Sequence, residues 1–412
     1  MNFRQNNKNG EMLSILGFGC MRFPKKGNSI DEDESAKMIL SAIDNGVNYF
    51  DTAYIYQNGK SEILLGKVLA KGYRDKVNIA TKIPPFLVKK TTDFDKIFNI
   101  QLERLQTDHI DYYLIHMLMD VQTWDRLVLL GVIEWIQKQK TSGRIRNIGF
   151  SFHGTKSAFV SIVDAYDWDF CQIQYNFIDE NNQAGKSGLL YAASKGIPVI
   201  VMEPLRGGKI VFGLPKEVDA LWNQMKPTRT VADWALRWVW NHPQVLVVLS
   251  GMSTQDQVNE NIRIASDAQA DGLRAEELAV FNTAREIIRA KTKVNCTACG
   301  YCMPCPAGVD IPACFAAYND KYLNHKGFGS KLTYIQNTGA MSNHPANAAL
   351  CVQCRQCEQH CPQSIKISER MLDVRSDMEG PFFKPMIFIG KKLMRLKYAS
   401  FLRNKNSKLL IS

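Results

Sequence analysis

The chain has 412 residues, 45% of them hydrophobic and 22% charged, with a formal net charge of +11. A single core rarely grows past about 250–300 residues, so two domains are expected, and the longest apolar run, 245–249, is far too short to cross a bilayer. Eight basic and no acidic residues lie between Pro381 and Ser412, leaving 43 basic against 40 acidic before them; the excess belongs to a tail, which argues against a nucleic-acid groove and leaves a membrane surface, an acidic partner or plain solvation.

The opening MNFRQNNKNG is polar and lacks the apolar stretch of about 7–15 residues of a secretory signal, so the cytoplasm is the expected location. From there to residue 290 the text repeats one theme: a short β-branched run, a turn, then a helical pattern. Strands are predicted at 17–21, 47–50, 77–81, 110–115, 145–150, 170–174, 199–202 and 245–249. Helices are predicted between them, at 33–45, 92–105, 124–141 and 231–241 among others, because apolar residues recur at helical spacing. Strand–helix alternation implies a parallel sheet, and eight units in roughly 250 residues fit a closed barrel better than an open one. An open sheet would also carry a Gly-rich turn after its first strand, and LGFGCM lacks the third glycine of that fingerprint. A last helix at 275–291 precedes a change of composition to cysteine, proline and short polar segments. Within that region 322–347, rich in Gly, Asn and Ser, reads as a loop.

In such a barrel the chemistry sits at the C-terminal ends of the strands. The second strand runs out in YFDTAYIYQNGKSE, the third in IATK and the fourth in DYYLIH, which brings Asp51, Tyr56, Lys82 and His116 to one rim. These types suit carbonyl reduction. Hydride arriving at carbon leaves charge on oxygen, so a proton donor must stand there. A free phenol, with pKa about 10, donates well but regenerates slowly at neutral pH. An ammonium lowers that pKa and a carboxylate holds the ammonium. Tyr56 is thus the acid, Lys82 its tuner, Asp51 the anchor, and His116 would orient the carbonyl. Each residue alone is more often structural; four at successive strand ends are hard to ascribe to coincidence. Isolated Cys20 and Cys171 in apolar strands read as inert core thiols, and Trp234, Trp238 and Trp240 as packing.

These four residues resemble the catalytic tetrad of the aldo-keto reductase family, and FDTAxxYxxGxSE is similar to that family's signature. The resemblance runs from about Phe3 to Ile288, including a hairpin-like LSILGFGCMR, and implies a (β/α)8 barrel that binds NADP(H) or NAD(H) without a Rossmann motif. It also implies nucleotide contacts. Ser151 in GFSFHG and Gln172 in CQIQYN match the residues that hold the nicotinamide amide, although Phe152 replaces the usual asparagine. MEPLRGG resembles the loop over the pyrophosphate, with Leu205 and Gly207, and Met202 stands where a stacking tyrosine is common. SGMSTQDQVNEN resembles the adenosine-binding segment, which points to Ser253, Gln257, Glu260 and Asn261. The family leans towards NADPH.

Nine of eleven cysteines fall between Cys296 and Cys361. In a reducing compartment such arrays bind metals or clusters rather than forming disulfides. CVQCRQCEQHCP spaces Cys351, Cys354, Cys357 and Cys361 as the bacterial ferredoxin run. CTACGYCMPCP carries Cys296, Cys299, Cys302 and Cys305, one residue shorter before its last cysteine. Crossed wiring is expected, with Cys296, Cys299, Cys302 and Cys361 on one 4Fe-4S cluster and Cys351, Cys354, Cys357 and Cys305 on another. Cys314 is a spare that could replace Cys305. Tetrahedral zinc prefers two-and-two pairs, so triplets with a CP fourth ligand favour clusters. Residues 295–366 resemble 4Fe-4S dicluster domains, placed after the barrel as in a branch of fused aldo-keto reductases.

The expected architecture is α/β: a (β/α)8 TIM-type barrel at 1–290, a small α-rich ferredoxin-like iron–sulfur domain at 291–380 and a basic amphipathic tail at 381–412. The expected activity is reduction of a small-molecule aldehyde or ketone. The two clusters would serve electron transfer or structure. The alternative is an electron-transfer or redox-sensing protein in which the barrel binds nicotinamide and the clusters exchange electrons with a partner. A ferredoxin or flavoprotein is the candidate redox partner in either case, and the basic tail a candidate for membrane-surface contact.

Overall fold

The computed structural model describes residues 1–387 apart from 28, 155, 324–328, 332, 333, 336, 337, 339–344, 382, 384 and 386. The basic tail lies almost wholly outside the described residues. By internal contacts the chain divides into two compact units, Met1–Phe212 with Asp219–Arg285, and Gly213–Val218 with the chain from Glu286 onward.

In the first unit eight strands are β1 Leu16–Gly19, β2 Tyr49–Asp51, β3 Asn78–Ile83, β4 Ile110–Leu118, β5 Ile145–Phe152, β6 Phe170–Gln174, β7 Val199–Met202 and β8 Val245–Ser250. Each pairs in parallel with the next and β8 pairs with β1, which closes the barrel. Every residue of β3 is buried, as a strand covered on both faces requires. Inside the barrel Tyr49, Tyr112, Phe170, Ile200 and Leu246 pack together with Leu13. The rings of Tyr49 and Phe170 meet Tyr112 at 5.1 and 5.0 Å in edge contacts.

Three local expectations are corrected. The N-terminal hairpin is Phe3–Gln5 against Met12–Ser14, so LSILGFGCMR is instead the end of that hairpin followed by β1. The single helix expected at 124–141 is two, Val121–Leu129 and Val132–Thr141, because Gly131 adopts φ 84°, a left-handed geometry that ends one helix and opens the next. The loop expected from residue 322 begins inside a helix, Ile311–Leu323. Trp234, Trp238 and Trp240 are buried, and Trp240 Nε1 donates to the Ile15 carbonyl at 2.9 Å.

The second unit has its own core, in which Val309, Ile311, Phe315, Tyr334, Met371 and Val374 are buried. Helix Ile311–Leu323 packs on helix Ile367–Met378. Asn319 Oδ1 accepts the Lys293 and Val294 amides at 3.1 and 2.9 Å, tying the segment before the first cysteines to that helix. Among the described residues no helix is long and apolar enough to cross a membrane.

Candidate active site and cluster ligands

β2 ends at Asp51, and β3 and β4 deliver Lys82 and His116 one and two residues before their last. Tyr56 follows β2 in the turn Tyr56–Gly59, whose Gln57, Asn58 and Gly59 all have positive φ. Lys82, only 1% exposed, places Nζ 2.5 Å from Asp51 Oδ1 and 2.7 Å from the Thr52 carbonyl. The same Nζ lies 5.0 Å from the centre of the Tyr56 ring, and the His116 ring meets that ring edge-on at 5.8 Å. The structure thus brings the four together, with Tyr56 the half-buried member.

Burial works against both charges of the pair: it lowers the Lys82 ammonium and raises the Asp51 carboxyl, while their contact opposes each shift. Burial also pushes His116 well below the usual imidazole range, helped by Lys82 and His153. His116 is therefore neutral at physiological pH, able to give one hydrogen bond and accept another. Cys20 and Cys171 are fully buried, and burial pushes both thiols up, as inert core cysteines should be.

Ser151 and Gln172 are register partners on β5 and β6. Ser151 Oγ accepts the Met117 amide at 2.8 Å, where φ of Met117 is 50° and the β4–β5 register shifts between Ile115 and Leu118. The hydroxyl thus steadies a bulge immediately after His116 and keeps its own proton to donate. Gln172 is buried against the Asp51 carboxylate and favours its charged form, yet its Oε1 has no hydrogen-bond partner among the described residues. One donor and one orphan acceptor side by side fit a ligand's carboxamide, which is what nicotinamide offers. Phe152 packs on Phe159 at 5.0 Å.

The other nucleotide candidates lie beyond β7 and β8, on the same rim. Leu205 and Gly207 flank buried Arg206, which pairs with Asp179 at 2.9 Å; Gly207 is exposed with φ 66°. Ser253 donates its amide to Gln257 Oε1 at 2.8 Å at the start of helix Gln255–Asp267, which Thr254 caps by accepting from the Gln257 amide. Glu260 accepts from Thr230 Oγ1 at 2.6 Å, and buried Asn261 donates to Ser250 Oγ at 2.9 Å.

Two features escaped the sequence reading. His153, buried at the end of β5, has Nδ1 3.1 Å from Gln183 Oε1 and a pKa pushed by burial down to about 4; its place directly after Ser151–Phe152 was the available signal. The buried Glu62, inside the quoted YxxGxSE segment, binds Thr81, Gln101 and Arg104.

In the second unit the cysteines surround two small hollows. Cys296, Cys299, Cys302 and Cys361 line one; Cys305, Cys351, Cys354 and Cys357 line the other. Ile311 and Ile367 belong to the walls of both. Burial, then crowding by Cys296, Cys299 and Cys361, pushes the Cys302 thiol up to about 12. Cys357 is pushed up to about 11 by burial, with Glu358, Cys305 and Cys351 adding to it. Four soft thiols lining one apolar-walled hollow are of the residue type that could hold an iron–sulfur cluster. Cys314 is buried apart, near the Tyr334 hydroxyl and the Ala346 carbonyl.

Residues 15–275 match the aldo/keto reductase family, and residues 295–365 match the 4Fe-4S dicluster domain. L-galactose dehydrogenase of Arabidopsis thaliana is 26% identical over 304 residues, spanning 69% of this chain and 94% of that protein. NADH-specific methylglyoxal reductase of Escherichia coli is 24% identical over 317 residues, spanning 64% and 94%. A solved aldo-keto reductase of Bacillus halodurans, in its holo form, shares the fold with a TM-score of 0.58 at 26% identity, over 69% of this chain and 96% of its own. With the closed parallel barrel and the cysteine quartets beside these matches, the chain belongs to the aldo/keto reductase family, an NAD(P)H-dependent oxidoreductase that carries a C-terminal 4Fe-4S dicluster domain.

Proposed function

We propose that the barrel reduces the carbonyl of a small aldehyde or ketone, with Tyr56 giving a proton to oxygen as hydride reaches carbon. The nicotinamide, when bound, supplies that hydride. The chain's residues do the rest. Lys82 stabilises the phenolate left behind, Asp51 holds Lys82 ionised, and neutral His116 donates a hydrogen bond to the carbonyl oxygen. The observation that carries this reading is the buried Lys82–Asp51 pair at 2.5 Å with its ammonium 5.0 Å from the Tyr56 ring. Ser151 and Gln172 would hold the carboxamide, Leu205 and Gly207 the pyrophosphate, and Ser253, Gln257, Glu260 and Asn261 the adenosine end. Replacing Tyr56 by Phe removes only the proton donor. Turnover of a carbonyl panel should then vanish while fluorescence titration still detects nucleotide binding; undiminished turnover would refute the assignment.

For the second unit the reading is one 4Fe-4S cluster per hollow, with Cys361 and Cys305 as the crossed ligands, exchanging single electrons with a ferredoxin or flavoprotein. Support comes from the two thiol quartets. Anaerobically prepared protein should contain about eight iron and eight sulfide per chain. Stoichiometric zinc without sulfide would overturn it.

A further inference from the structure

Glu62 sits in the first turn of helix Lys60–Leu69 with no solvent-exposed surface. Its Oε1 accepts from Thr81 Oγ1 at 2.6 Å and from Gln101 Nε2 at 2.9 Å, and its Oε2 accepts from Arg104 Nη1 at 3.0 Å. Each of these partners leads to the tetrad. Thr81 precedes Lys82 on β3, and Gln101 Nε2 also lies 3.1 Å from the Lys82 carbonyl oxygen. Gln101 is itself held by the Tyr113 hydroxyl, which donates to its Oε1 at 2.7 Å. Arg104 Nη1 donates a second time, to the Tyr54 carbonyl at 3.1 Å, and the guanidinium lies 4.4 Å over the Tyr54 ring. Tyr54 is two residues from Tyr56. At Gly59, where that turn closes, a Cβ would come within 2.6 Å of the Arg104 guanidinium carbon, so the missing side chain is the space the arginine occupies.

A helix can be fastened to a strand at least as well by apolar packing as by a buried ion pair. Apolar side chains cannot supply directed bonds onto a loop carbonyl or a fixed charge near an ammonium. We propose that Glu62 and Arg104 form a positioning clamp: the carboxylate fixes Lys82 through Thr81 and Gln101, and the guanidinium fixes the Tyr56 turn through Tyr54, so that phenol and ammonium keep one separation. This rests on the carbonyl-reduction reading of the tetrad. The ionisable groups around Glu62 are Arg104 from helix Thr92–Leu105, Lys82 from β3 and Tyr113 from β4; those around Lys82 add Asp51, Cys20 and His116. The Glu62 charge favours the ammonium form of Lys82.

The test uses the full chain with its clusters, assayed with NADPH or NADH against a carbonyl panel. Arg104→Lys keeps the charge but loses the forked contact to Glu62 and Tyr54. It should lower kcat by roughly tenfold to a hundredfold, with little change in KM or nucleotide affinity and no movement of the pH profile. Glu62→Gln keeps the shape and leaves Arg104 unpaired. It should lower kcat comparably and also shift the alkaline limb to lower pH, since the extra positive charge stabilises the Tyr56 phenolate. Tyr54→Leu, which removes only the ring beneath the guanidinium, serves if the others do not fold, and should lower kcat without lowering the melting temperature. Wild-type kcat in folded Arg104→Lys and Glu62→Gln, or in Tyr54→Leu, overturns the clamp. So does a Glu62→Gln protein that loses activity only in step with its melting temperature while its pH profile stays put. Tyr56→Phe run in parallel separates the failures: if it retains turnover the tetrad reading falls and the clamp with it, and if it is dead while the clamp variants are normal, the clamp alone falls.

Discussion

A lysine with 1% of its side chain exposed can stay charged only because a carboxylate is within hydrogen-bonding distance, and Asp51 is. That charge faces Tyr56 and favours its phenolate, which lowers the phenol pKa. Reduction needs the protonated phenol, so activity falls as pH rises through that pKa. In Lys82→Met the cation is gone, the phenol pKa rises, and the alkaline limb of the kcat profile should move up by one unit or more, about 1.4 kcal/mol of lost stabilisation per unit, with kcat reduced throughout. An unmoved limb would detach Lys82 from the acid. The shared rim of Asp51, Tyr56, Lys82 and His116 was legible in the sequence because each stands within a few residues of a strand's C-terminal end, where topology alone decides the rim. Glu62 was printed in the same segment without a legible role, because Arg104, 42 residues on, is what makes its burial meaningful.

Strands were legible for a similar reason: short β-branched runs buried on both faces leave little choice of period. Helix ends were less so. Gly131 inside an apolar pattern could be a tolerated glycine or a break, and only the surrounding packing selects the left-handed conformation. The cysteine segments followed their spacing, since three thiols on a tight loop share a hollow whereas the fourth is carried off by a helix or turn. Cys361 follows the turn Gln356–His360 and lines the hollow of Cys296, Cys299 and Cys302 rather than that of its neighbours in sequence. Cys361→Ser should therefore perturb the electron paramagnetic resonance signal of one cluster and leave the cluster of Cys351, Cys354 and Cys357 intact. Loss of the other signal would disprove crossed ligation.

The whole molecule joins a unit with a large barrel core to one whose core is small and lies against its own cysteines. Small cores depend on metals or cross-links for stability. Stripping iron with a chelator should accordingly raise hydrogen exchange across 294–378 while the barrel strands remain protected; uniform protection would show that the second unit folds without its clusters. The number of strands and the change of composition after the barrel were open to a sequence reading, because repetition and composition are long-range averages. The basic amphipathic tail expected at 381–412 lies almost wholly outside the described residues.

Ile311 and Ile367 line both hollows and so form a shared wall between them. One single-electron centre held in each hollow, as proposed, would let the pair together store as many electrons as one hydride carries. Ile311→Ala or Ile367→Asn, which change that shared wall, should then alter how such a pair shares its charge without touching a single proposed ligand.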